Sequence, residues 1–100
     1  MRCRCGEALE SFRYLGADER YGEASVLRCP NCGTFWLHYH YELESEPRSG
    51  RWFLGEIPAQ LADTATAMTA RGILEGLSSY RCGGSYFNGE TFETSGAILL

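Results

Sequence analysis

A chain of 100 residues is the length of one domain. With 44% hydrophobic and 13% aromatic residues it can bury a core of its own, and no apolar run approaches the ~20 residues a helix needs to span a bilayer. Thirteen acids against nine bases give a net charge of −4, which argues against nucleic-acid binding driven by bulk positive charge. All nine bases are arginine, a bias that points to a G+C-rich coding composition and a bacterial source rather than to a physical requirement. The start is charged and lacks an apolar stretch, so no secretory leader is expected, and the expected location is cytoplasmic.

The first elements in chain order carry the strongest motif. Cys3 and Cys5 sit in Arg-Cys-Arg-Cys-Gly, and Cys29 and Cys32 in Cys-Pro-Asn-Cys-Gly. Two close thiol pairs joined by a short segment suit one tetrahedral ion, each pair giving two sulfurs from one turn of backbone. Zinc fits best, at Zn–S distances of about 2.3 Å. Two disulfides or an iron–sulfur cluster would use the same four thiols. A Cys3–Cys5 bridge has poor geometry, and a reducing compartment keeps thiols available for metal. Two knuckles fit one ion more simply than they fit a cluster.

This pattern resembles a zinc ribbon, in which two Cys-containing knuckles at the ends of short antiparallel strands clamp one zinc. Gly6 follows Cys5 as Gly33 follows Cys32, as expected of two equivalent knuckles, and glycine relieves the sharp turn after the second thiolate. The single residue between Cys3 and Cys5 is tighter than the commoner spacing. The resemblance covers the first third to half of the chain and implies a structural Zn2+, because four thiolates leave no coordination position for water or substrate. Arg2, Arg4 and Arg28, with Arg13 and Arg20 further off, are expected to offset the negative charge of such a centre.

Residues 9–15 read as a strand with Phe12 and Tyr14 on one face. Residues 17–22 read as a charged turn, and 24–28 as a second strand delivering Cys29. In 34–43, Phe35, Leu37, Tyr39, Tyr41 and Leu43 alternate with Thr34, Trp36, His38, His40 and Glu42, the period of a sheet with one buried face. A loop over 44–50 leads to a strand over 51–57, paired antiparallel with the one before. Pro58 opens a helical stretch to residue 79 with Leu61, Ala65 and Met68 at helical spacing. Gly72 predicts two short helices or a bend. Asn88-Gly89 between Ser85–Phe87 and Glu90–Phe92 is a hairpin signal, since both turn positions need positive φ. The apolar end, Ala97 to Leu100, is expected to pack in the core or against a partner.

The predicted fold is therefore α+β: a zinc-ribbon-like antiparallel β-sheet with one or two short helices packed on one face. It forms a single domain over 1–100, with 1–43 ribbon-like and 44–100 holding a strand, a helical segment and a C-terminal hairpin. The metal ligands are Cys3, Cys5, Cys29 and Cys32, and catalytic residues are not expected. Trp36, His38, His40 and Trp52 lie on adjacent predicted strands and together form a candidate protein interface. The expected role is a non-enzymatic protein-interaction or accessory module, the small acidic format also suiting an immunity-type antagonist. Two alternatives stay open. One is a zinc-ribbon nucleic-acid binder that stacks bases on the same aromatics. The other is a thiol or redox role for Cys82, with His38 or His40 as its base.

Overall fold

In the computed structural model, residues 8–43 and 45–98 are described. They form a six-stranded antiparallel sheet in simple sequence order: β1 (Glu10–Ala17), β2 (Glu23–Arg28), β3 (Phe35–Tyr41), β4 (Arg51–Ile57), β5 (Tyr80–Gly83) and β6 (Thr91–Thr94). Two helices, α1 (Ala59–Thr64) and α2 (Ala67–Glu75), fill the connection from β4 to β5. The class is α+β. Among the described residues no helix is long and apolar enough to cross a membrane.

The period-2 pattern of β3 decides which way the sheet faces. Leu37, Tyr39 and Tyr41 are buried, as are Phe53 and Ile57 of β4 and Ala24 and Val26 of β2. These side chains meet Ala62, Ala70 and Leu74 of the helices and Ile98 near the end of the chain in one core. The helices therefore cover one face of the sheet, and among the described residues the other face is left open.

Several expectations change in detail. The helical stretch divides at Ala65 and Thr66 rather than at Gly72, which lies inside α2. The Thr66 hydroxyl accepts from the Thr69 backbone N–H at 3.2 Å, and the Thr69 hydroxyl accepts from the Thr66 N–H at 2.9 Å. This reciprocal cap starts a new helix more decisively than one glycine breaks an old one. Met68 points outward, and Ala67, Ala70 and Leu74 take the buried positions. Ser85–Phe87 is a 3-10 turn, not a strand. Asn88 (φ 60°) and Gly89 (φ 80°) do adopt positive φ, but inside a longer connection between β5 and β6.

Arg13 belongs to the fold rather than to a metal-side cationic patch. Its Nε donates to the Ala62 carbonyl at 3.1 Å, and its Nη2 donates to the Ala62 and Ala65 carbonyls at 2.7 and 2.9 Å. These are end carbonyls of α1, which have no acceptor role within the helix and carry the negative end of its dipole. Arg13→Ala is expected to cost about 1–2 kcal/mol of stability, the scale of charge-assisted bonds to backbone. A urea unfolding midpoint unchanged by the substitution would show that the bonds contribute nothing.

Candidate metal knuckle and open sheet face

Cys29 follows the last residue of β2, and the chain reverses within five residues to enter β3. The Cys29 N–H donates to the Thr34 carbonyl and the Gly33 N–H to the Cys29 carbonyl, both at 2.9 Å. Gly33 has φ +78°, a conformation that side-chain-bearing residues rarely adopt. The guanidinium of Arg28 lies over it, 3.4 Å from where a Cβ would stand. Cys29 is buried and Cys32 is exposed. The Cys32 Sγ sits 3.1 Å from the Thr34 hydroxyl, which can donate to a thiolate there. A closed turn holding two cysteines, with a cation alongside, fits half of a four-thiolate zinc centre.

Cys3 and Cys5 lie outside the described residues, with Arg2, Arg4 and Gly6. Among the described residues no group of three or more metal-ligating side chains occurs. The start of β1 is nevertheless placed beside the turn, because Glu10 pairs with Arg28. Five residues of chain from Cys5 to Glu10 reach at most about 18 Å, so both thiol pairs can be served from one end of the sheet. Bound there, Zn2+ would supply structural cross-linking, and Cys3, Cys5, Cys29 and Cys32 would hold it.

The second candidate is the open face. In β3 and β4, Trp36 pairs with Glu56, His38 with Leu54 and His40 with Trp52. Paired residues project to the same side, so all six share the face away from the helices. The four interface candidates are thus brought to one surface, in two groups. The His38 ring stacks on Trp52 with centroids 6.5 Å apart and planes at 20°. Trp52 in turn lies across Gly83 of β5. Trp36 stands at the other end of the strand pair, beside Glu56. Its indole N–H is buried and has no hydrogen-bond partner among the described residues. Burial, and then the neighbouring His40, lower the His38 pKa, so the imidazole on this stack is neutral at physiological pH.

Cross-strand pairing extends the surface: Glu23 pairs with His40, Ser25 with His38, Arg81 with Leu54 and Glu93 with Arg81. The face therefore carries Glu23, Glu56 and Glu93 against Arg81. Strand polarity alone did not make this row of acids evident; it emerges only once the register of four neighbouring strands is known.

Cys82 pairs with Phe53, which puts it in the core at 1% exposure, and burial raises its pKa. His38 and His40 occupy the opposite face of the sheet, so neither can act as its base. No family model matches the chain, and neither the curated proteins nor the solved structures give a match.

Proposed function

We propose that this chain is a non-enzymatic protein-interaction module, with a structural zinc held by Cys3, Cys5, Cys29 and Cys32 and a docking surface on the open face of its sheet. The observation that carries the reading is the His38–Trp52 stack on a sheet face that no helix or strand among the described residues covers. Rings with one apolar side and one polar edge suit a surface that is wet when free and dry when bound. A cytoplasmic accessory or immunity-type role is compatible with this chemistry.

The two alternatives receive less support. Base stacking on this face would need basic side chains along the phosphate track, and among the described residues the paired strands place three glutamates and one arginine on it. A thiol role would need Cys82 to be reachable and activated, and it is neither.

Trp52→Ala is expected to weaken partner binding about thirtyfold, near 2 kcal/mol, while zinc content and melting temperature stay close to the parent's. The test is purification of the tagged protein from its native source, in parent and variant forms. A partner retained equally by both, or a variant that simply unfolds, contradicts the assignment of this face.

A further inference from the structure

At the end away from the knuckle, the helix-side face of the sheet holds a buried cation. Arg51 opens β4 and pairs with Tyr41, so both project to the side of Tyr39 and Phe53, away from the open face. The Arg51 side chain is 5% exposed. Its guanidinium carbon lies 5.2 Å from the Tyr41 ring centroid and 3.7 Å from that of Tyr86. Gly84 makes the second contact attainable: a Cβ there would stand 2.5 Å from the Gly50 oxygen and 2.9 Å from the Arg51 Cα, at φ +117°. The chain therefore passes directly over the start of β4. The Tyr86 N–H donates to the Gly50 carbonyl at 2.8 Å, and the Tyr86 ring is laid on the guanidinium. Arg51 Nε donates to the Ser49 carbonyl at 3.2 Å. The Ser49 hydroxyl in turn bonds to the Leu43 backbone, which fixes that acceptor. Nη1 and Nη2 have no hydrogen-bond partner among the described residues, and no carboxylate there forms an ion pair with Arg51. Neither Nη is sealed from solvent, since the buried side-chain atom without a partner lies elsewhere, on Trp36.

A guanidinium stays charged at any working pH, and a buried charge without an ion partner is costly. Two aromatic rings offset part of that cost and, with the Ser49 bond, hold the guanidinium plane in one orientation. What remains is a rigid fork of two nitrogens that reach solvent. Such a fork matches a carboxylate through two parallel N–H···O bonds. We infer that Arg51 is a binding site for one carboxylate, held end-on across Nη1 and Nη2 beside the Tyr86 ring. One guanidinium balances one negative charge. A phosphate dianion would leave charge uncompensated near Glu42, whose carboxylate lies against Gly50. The site is independent of the open face, from which the sheet separates it.

The probes are sodium acetate and its neutral isostere acetamide, titrated at constant ionic strength into zinc-loaded full-length protein. NMR follows the Arg51 Nε–H and the Tyr86 amide. Acetate is expected to shift both saturably at roughly millimolar concentration, within what a ligand of its size can reach. Acetamide should leave them unmoved, and phosphate should act only at higher concentration than acetate. Tyr86 is half-exposed, so Tyr86→Ala should keep the fold. With the guanidinium unclamped, acetate affinity read at the Arg51 Nε–H should fall about three- to fivefold, the scale of an exposed cation–π contact. Arg51→Lys keeps the charge and loses the fork, and the Tyr86 amide should then stop responding to acetate. Should that variant not fold, the acetamide and Tyr86→Ala results decide. The peptide acetyl-Gly-Asp-Gly-amide, against its asparagine counterpart, separates the sources of the carboxylate. Binding tighter than acetate assigns it to a protein, and binding no tighter assigns it to a small anion. Equal shifts with acetamide, no saturation with acetate, or phosphate acting at lower concentration than acetate overturns the inference.

Discussion

Purified protein is expected to carry close to one zinc ion per chain, and chelation is expected to unravel the knuckle end of the sheet. Metal binding at four-ligand structural sites in zinc-finger peptides is worth roughly 10–16 kcal/mol at neutral pH, much of it coupled to ordering the chain. The knuckle itself is short, and a bound metal would draw its thiols together. Its two backbone bonds and the positive φ of Gly33 hold the turn closed, but a turn of this size is easily lost. The core has other support, because Leu37, Tyr39, Phe53, Leu74 and Tyr80 pack together without any thiol from the knuckle. Hydrogen exchange should therefore show loss of protection in β1, β2 and residues 29–34, with protection kept in part of the segment from β4 onward. Cys29→Ser should release the metal and give the same pattern. Zinc-free protein with intact disulfides by mass spectrometry would remove the metal assignment. Complete, uniform unfolding on chelation would instead show that the metal end and the core are one cooperative unit.

The parts of this fold legible in the sequence are those where one local pattern has one structural solution. Alternation from Phe35 to Tyr41 can bury only one side, so the pairing of β3 with β4 and the shared face of Trp36, His38, His40 and Trp52 follow from it. The Cys-Pro-Asn-Cys-Gly turn is legible for the same reason: it needs a positive φ, and glycine supplies it. Where two local signals compete, the reading fails. Gly72 weakens a helix by about 1 kcal/mol relative to alanine, yet Thr66 and Thr69 cap a new one, and the cap wins. Asn88-Gly89 fixes positive φ at two residues but does not fix which residues flank them as strands. Here Ser85–Phe87 closes into a 3-10 turn, and β5 ends earlier, at Gly83. Arg13 looked like a cation for the metal end, and a contact 49 residues away in sequence claims it. The acidic character of the open face depends on register across β2 to β6, which no local pattern encodes.

Asp18→Ala is expected to cost about 3 kcal/mol, although the residue lies in a turn and touches no candidate site. Its carboxylate is nearly buried, at 8% exposure. Oδ1 accepts the N–H groups of Arg20 and Gly22 at 3.0 and 2.9 Å, and Oδ2 accepts the Tyr39 hydroxyl at 2.6 Å. Tyr39 is fully buried in the centre of β3. Removing the carboxylate strands a buried hydroxyl and a buried amide, at about 1–3 kcal/mol for each unsatisfied group. The turn is packed closely on that hydroxyl, since a Cβ on Gly22 would lie 2.1 Å from the Tyr39 oxygen. The same contacts predict the pH response. Burial alone would raise the Asp18 pKa; the bonds from Tyr39, Gly22 and Arg20, with the charge of Arg71, outweigh it, and the pKa is lowered. A group whose folded pKa lies below its unfolded value of about 3.9 stabilises the fold fully above that value. Its contribution disappears as pH falls from about 4 through the folded pKa. Urea midpoints of the parent should therefore fall across that acid window more steeply than those of Asp18→Asn, whose amide keeps an acceptor and does not titrate. Parallel acid profiles would assign the loss to other carboxylates. Because Glu23 follows this turn and pairs with His40, the Asp18→Ala variant should also disturb the His40 end of the open face. That loss of binding would come with lowered stability, which separates it from the Trp52→Ala effect.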